Sequence, residues 1–149
     1  MSDIILSKDI LETVRIKDHT GKILSEFAFN PSDANIVDRY EKFVNGFEAL
    51  RNEILAYEEA NEKSGDYDKE REKLHLINKK IHESINHLVN ADVADSIFSV
   101  MGALSPLPSG DYYFTFIVEQ IGQKIQNATG ARMEKMDMKI RKHTAKYHG

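Results

Sequence analysis

Six histidines, at positions 19, 75, 82, 87, 143 and 148, are the side chains of this sequence best suited to proton transfer or metal ligation, and their spacing limits both. His82 and His87 are five apart, on different sides of a helix, whereas two ligands from one helix normally sit three or four apart. Glu83 with His87 has that spacing, but one pair does not make a closed coordination shell. Carboxylates are plentiful, yet they alternate with cations in runs such as "DKEREK", on helix faces open to water. A general acid or base needs burial or a charged neighbour to move its pKa toward neutrality. The absence of cysteine removes thiol catalysis, thiolate zinc sites and disulfides, and fits a reducing compartment. The nucleophile elbow, the phosphate loop, the dinucleotide glycine fingerprint and the zinc-protease motif are missing as well. The expectation is a protein with no catalytic residue, no cofactor and no metal.

Charge points the same way. From Arg132 to Gly149 six basic side chains stand against two acidic ones, +4 within a chain of net −4, so residues 1–131 carry −8. The basic end has one aromatic, Tyr147, and no helix-turn-helix or stacking platform, while the acidic remainder would repel phosphate. Nucleic acid is therefore not the expected partner; a small regulator that binds it through the basic arm is an alternative. No run approaches the roughly 18 apolar residues of a membrane span, and "MSDIILSKDI" lacks the basic region and long apolar stretch of a signal peptide. The sequence predicts a cytoplasmic protein of one domain.

The elements that would position an interaction surface can be read from periodicity. In "LETVRIKDHTGKILSEFAF" Val14 and Ile16 alternate with polar residues, and Ile23, Phe27 and Phe29 share one face of a partner strand. Gly21 supplies the turn, which predicts a β-hairpin over 11–29. Asn30 as cap and Pro31 at the first helical position then predict a helix. Its seam of Ile36, Tyr40, Phe43, Phe47, Leu50, Ile54 and Tyr57 recurs at spacings of four and three, with Val37 and Val44 beside it. Gly65 breaks this helix and Asp66 caps the next, whose matching stripe is Leu74, Ile77, Ile81, Ile85 and Leu88, so the two form a long antiparallel hairpin. A shorter helix carries Val93, Ile97, Val100, Met101 and Leu104 until Pro106 and Pro108 stop it. Ser109, Gly110 and Asp111 restart a helix that opens with "YYFTFIV", apolar almost all round, and runs to "NATG". The fold class expected is mainly α (α+β): the hairpin, a helical body over 31–128 containing four to five helices, and a basic helical arm over 131–147.

A helix that is apolar all round must be covered by its own core or by a partner. Ile97, Phe98, Met101, Tyr112, Tyr113 and Phe116, on the two sides of the proline loop, are the candidate partner-binding residues. The loop itself reads as a hinge between two apolar helices.

Two stretches, "EFAFNPSDANIVDRYEKF" and "ADSIFSVMGALSPLPSGDYYFTFIVEQIGQKI", resemble the tail assembly chaperones of long-tailed bacteriophages and prophages of Gram-positive hosts. Phe27, Phe29, Pro31 and Asp33 fit that family's strand-to-helix transition. Ile97, Phe98, Gly110 and Phe114 fit its later motif, with Ser99 where the family commonly has glycine. The resemblance implies a non-catalytic chaperone that binds the tape measure protein and keeps it soluble in the bacterial cytoplasm until tail-tube subunits polymerise around it. It also implies a longer frameshifted product able to recruit the tube protein. Self-association is expected alongside, since a client of great length has to be covered. The alternative within the same setting is a structural or connector subunit that stays in the virion.

Overall fold

The structure, a computed structural model, describes residues 1–63 and 67–131. The expected break at Gly65 with its cap at Asp66, and the basic arm beyond Ala131, lie outside the described residues. What is described is an α+β fold in which an antiparallel hairpin precedes four helices.

Strand β1 (Glu12–Lys17) pairs with β2 (Ile23–Phe29), placing Val14 opposite Phe27 and Ile16 opposite Ser25. Directly opposed residues share a face, so Val14, Ile16 and Phe27 turn together toward the helices while Arg15 and Glu26 face water. The turn is organised by Asp18, whose carboxylate accepts from the Thr20 hydroxyl at 2.6 Å and from the Thr20 and Lys22 amides. Gly21 adopts φ +89°, the left-handed geometry this turn requires. A register shift between Ile16 and Lys17 sets Ile23 opposite Lys17, on the face turned to water, so Ile23 is exposed, unlike Phe27 and Phe29 of its expected face.

Helix α1 (Ile36–Lys63) starts more than a turn later than the Asn30–Pro31 signal predicts. Asn30 and Asp33 each accept from an amide two residues on, Ser32 at 3.0 Å and Asn35 at 2.9 Å. These two successive side-chain turns offer the backbone an alternative to helix, and only after them does the α ladder begin. Asp33 also pairs with the Arg39 guanidinium at 2.8 Å, while Arg39 Nε donates to the Leu88 carbonyl. The start of α1 is thereby tied to the end of α2 (Tyr67–Val89). Midway along both helices Lys80 meets Glu53 at 2.8 Å, and the two contacts together fix α1 and α2 as antiparallel neighbours.

Asn90, at φ +51°, closes α2 in the left-handed conformation. The Asn86 side-chain oxygen then accepts from both the Val93 and Ala94 amides at 2.8 Å and starts α3 (Ala94–Phe98). The expected extension of this helix through Leu104 does not form. Ser99 Oγ instead returns to the Ser96 carbonyl, and the carbonyls of Ala103 and Ser105 are taken by the amides of Phe114 and Tyr113.

The proline passage is a hydrogen-bonded loop. Leu107 donates to Asp111 at 2.9 Å, Gly110 at φ +91° donates back to Leu107 at 2.8 Å, and Pro106 bridges to Tyr112. Pro108 sits where a turn favours a preset φ, and neither proline stands where an amide donor is needed. Helix α4 (Tyr113–Thr129) follows, one residue after the expected opening at Tyr112, and ends at Gly130 in the left-handed conformation as "NATG" predicts. Phe29, Ile54, Ile81, Leu88, Phe114 and Ile121 fill a single core shared by hairpin and helices.

Candidate functional site

The six residues expected to line one partner groove are divided by the structure. Ile97 and Tyr113 are core: the Tyr113 hydroxyl donates to the Ile97 carbonyl at 2.7 Å, and burial pushes its pKa up to about 12. Tyr112 is buried too, its ring stacked 6.4 Å from that of Phe114. Phe98 is half-buried between His82, stacked at 4.7 Å, and the edge of Tyr113. Only Met101 and Phe116 keep substantial exposure, 38% and 40%. They do not act together: Met101 lies in the turns after α3, whereas Phe116 lines a cleft of about 330 Å³ between β1 and α4. Three of the six are therefore corrected to core residues. An all-round apolar helix start is covered here by α1, by α3 and by the folded-back proline loop.

An open apolar groove lies on residues that periodicity assigns to the core. Of the α1 seam, Ile36, Tyr40, Phe47 and Ile54 are buried against the other elements. Phe47 comes within 6.3 Å of the Phe114 ring, and Tyr40 reaches α4. The interleaved set, Phe43, Leu50 and Tyr57, stays half-buried. Phe43 and Leu50 with Gly46, Phe47 and Ala49 make one wall and floor of a groove of about 440 Å³ along α1 and α2, completed by Ser84 and His87. Arg39 and Lys42 stand at one end, Glu53 and Lys80 at the other. From Lys42 to Glu53 the floor extends about 16 Å, three helical turns.

Gly46 is the informative residue of that floor. A glycine inside a helix destabilises it by roughly 1 kcal/mol relative to alanine. Nothing lies within 4 Å of where a Cβ at position 46 would stand, so the packing of this subunit does not require it. Gly122 on α4 is the contrast. A Cβ there would lie 2.6 Å from the Tyr40 hydroxyl and 2.9 Å from two of its ring carbons, so the α1–α4 contact does require glycine. The signal for the groove in the sequence is thus an apolar seam wider than one neighbour can cover, with a glycine in the middle of it.

Glu83 and His87, the pair with metal-ligand spacing, both border the groove, and no group of three or more ligating side chains able to hold a metal occurs among the described residues. His82 lies 3.7 Å from Asp95 on the opposite side of α2. No described helix is long and apolar enough to cross a membrane.

The architecture defines a two-stranded ribbon laid on a helical body that carries an open apolar groove between its two long helices. Compared with family models, with curated proteins and with solved structures, the chain gives no match.

Proposed function

We propose that this protein is a non-catalytic assembly chaperone that receives an amphipathic helix of its client in the α1–α2 groove, the client being a tape measure protein of a phage tail. The observation that carries this reading is the half-covered seam: Phe43 and Leu50 form an apolar floor, and Gly46 and Ala49 let another backbone approach closely. A helix laid along two antiparallel helices completes a three-helix contact, burying a stripe spaced at three and four residues. Lys42 stands at one end, where Arg39 is already paired with Asp33, and the Lys80–Glu53 pair closes the other, so an acidic side chain of the client is met at the Lys42 end. A client whose apolar stripe is covered in this way stays soluble without any chemical step.

The test is co-expression of this chain with a candidate tape measure chain, alongside a Gly46→Glu variant that keeps a good helix former while placing a charge on the floor. The parent is expected to hold the client in the soluble fraction and the variant to lose it. A client equally soluble without this protein, or rescued equally by the variant, contradicts the reading.

A further inference from the structure

Residues 1–11, "MSDIILSKDIL", form no regular element, bend at Ser7–Lys8 and are exposed throughout: Ile4 is 98% exposed, Ile5 85%, and Leu6, Ile10 and Leu11 are each half exposed or more. Five large aliphatic side chains in eleven residues are far more apolar surface than a lone strand leaves in water at no disadvantage. The molecule also carries a place that such a strand fits. The cleft between β1 and α4 is lined by five consecutive residues, Thr13 to Lys17. Successive strand side chains leave opposite faces, so five in a row line a cleft only along the backbone edge. β1 is paired on one side alone, by β2, and its other edge therefore offers amides and carbonyls to a further strand. Beside that edge stand Ile16, Phe116 and Ile121, apolar, and three basic side chains, Arg15 at 3.7 Å from Glu26, Lys124 at 3.9 Å from Glu12, and Lys17. Asp3 and Asp9 bracket the apolar run of the free segment, against its one lysine.

We infer that the segment around Asp3–Leu6 of one copy adds as a strand to the β1 edge of a second copy, and that two copies exchange these segments reciprocally. Ile4 and Leu6, two apart, fall on one face and enter the cleft over Phe116, while Ile5 faces outward. A reciprocal exchange is a closed two-fold contact, so it stops at the dimer rather than growing into a filament. This exchange is independent of the α1–α2 groove and stands or falls apart from the client.

Analytical ultracentrifugation of the full chain gives the first readout, with a dimer at micromolar concentration expected. Ile4→Asp combined with Leu6→Asp alters side chains that touch no core, so it leaves the melting of each subunit in place, yet it should weaken dimerisation by about 100-fold or more. The absence of cysteine supplies the second readout. A Ser2→Cys chain, with its thiol on the face shared by Ile4 and Leu6, mixed with a chain carrying Gln120→Cys in the cleft wall and treated with a short bismaleimide, should yield a covalent dimer of one copy of each. A parent that sediments as a monomer, a dimer indifferent to the double substitution, or a linkage that forms only within one chain carrying both cysteines overturns the inference.

Discussion

Substituting alanine for glycine at two helix positions should move stability in opposite directions. At Gly46 the added methyl meets nothing within 4 Å, so the helix gains its ordinary preference for alanine, about 0.5–1 kcal/mol. At Gly122 the same methyl would lie 2.6 Å from the hydroxyl and 2.9 Å from two ring carbons of Tyr40, a rigid side chain that is itself buried. Overpacking of this kind costs about 1–3 kcal/mol, which exceeds the same helix gain and leaves a net loss of about 1–2 kcal/mol. For a chain of this length each kcal/mol shifts the melting temperature by about 2–4 °C. Thermal and urea unfolding should therefore place Gly46→Ala about 1–4 °C above the parent and Gly122→Ala about 2–8 °C below it. Tyr40→Phe should recover part of the Gly122→Ala loss, because it removes the nearest of the three contacts and leaves the two carbons. A double-mutant cycle measures that recovery, expected at about 0.5 kcal/mol or more. If both alanine variants shift stability the same way, or the cycle shows no coupling, Tyr40 does not seat on Gly122 and the α1–α4 contact is wrongly placed.

Other perturbations test the joints between elements. Asn86→Ala leaves the Val93 and Ala94 amides without their shared acceptor and should lower unfolding stability by about 1–3 kcal/mol, while Asn86→Asp, which retains the acceptor oxygen, should lose less. Tyr113 is raised to about 12 by burial, so folding favours its neutral form. That contribution is intact below the ordinary phenol value of 10.0 and is lost as the pH climbs toward 12; alkaline unfolding followed by circular dichroism should be less steep in Tyr113→Phe. Asp33 behaves in the opposite sense: the Asn35 amide and then the Arg39 guanidinium hold its carboxyl below the ordinary 3.8, so its contribution is present above that value and fades in stronger acid. The acid limb of the stability curve should flatten in Asp33→Asn. In a phage setting, mass spectrometry of purified virions should not find this chain in stoichiometric amount; finding it so would favour a structural subunit.

The hairpin and the two long helices are legible in the sequence because each rests on a repeated signal: alternation around Val14 and Ile16, and the three-four spacing from Ile36 to Tyr57. Gly130 ends α4 where a glycine after a helix should. What periodicity does not carry is competition by side chains for the backbone. Asn30 and Asp33 have the types of helix caps, yet they close two turns first and delay α1 to Ile36. Pro106 and Pro108 read as a break, and only the amides of Leu107, Gly110, Tyr113 and Phe114 show that the break is a folded loop. The candidate surface was least legible, since a seam does not say which of its members face the subunit's own core. Tyr40 and Phe47 are taken by α4 and the core around Phe114, leaving Phe43 and Leu50, at the same spacing, half uncovered. In α4 the aromatic run divides in the same way, with Tyr113 and Phe114 inward and Phe116 outward.

The groove between α1 and α2 can be tested most directly by titrating a labelled amphipathic helix from a tape measure chain into the parent protein and into Gly46→Glu, with both melting as folded proteins. Fluorescence anisotropy should show saturable binding to the parent and a loss of affinity of tenfold or more in the variant. Equal affinity for the two, or no binding to the parent, would contradict a client seated on the floor formed by Phe43, Gly46 and Leu50.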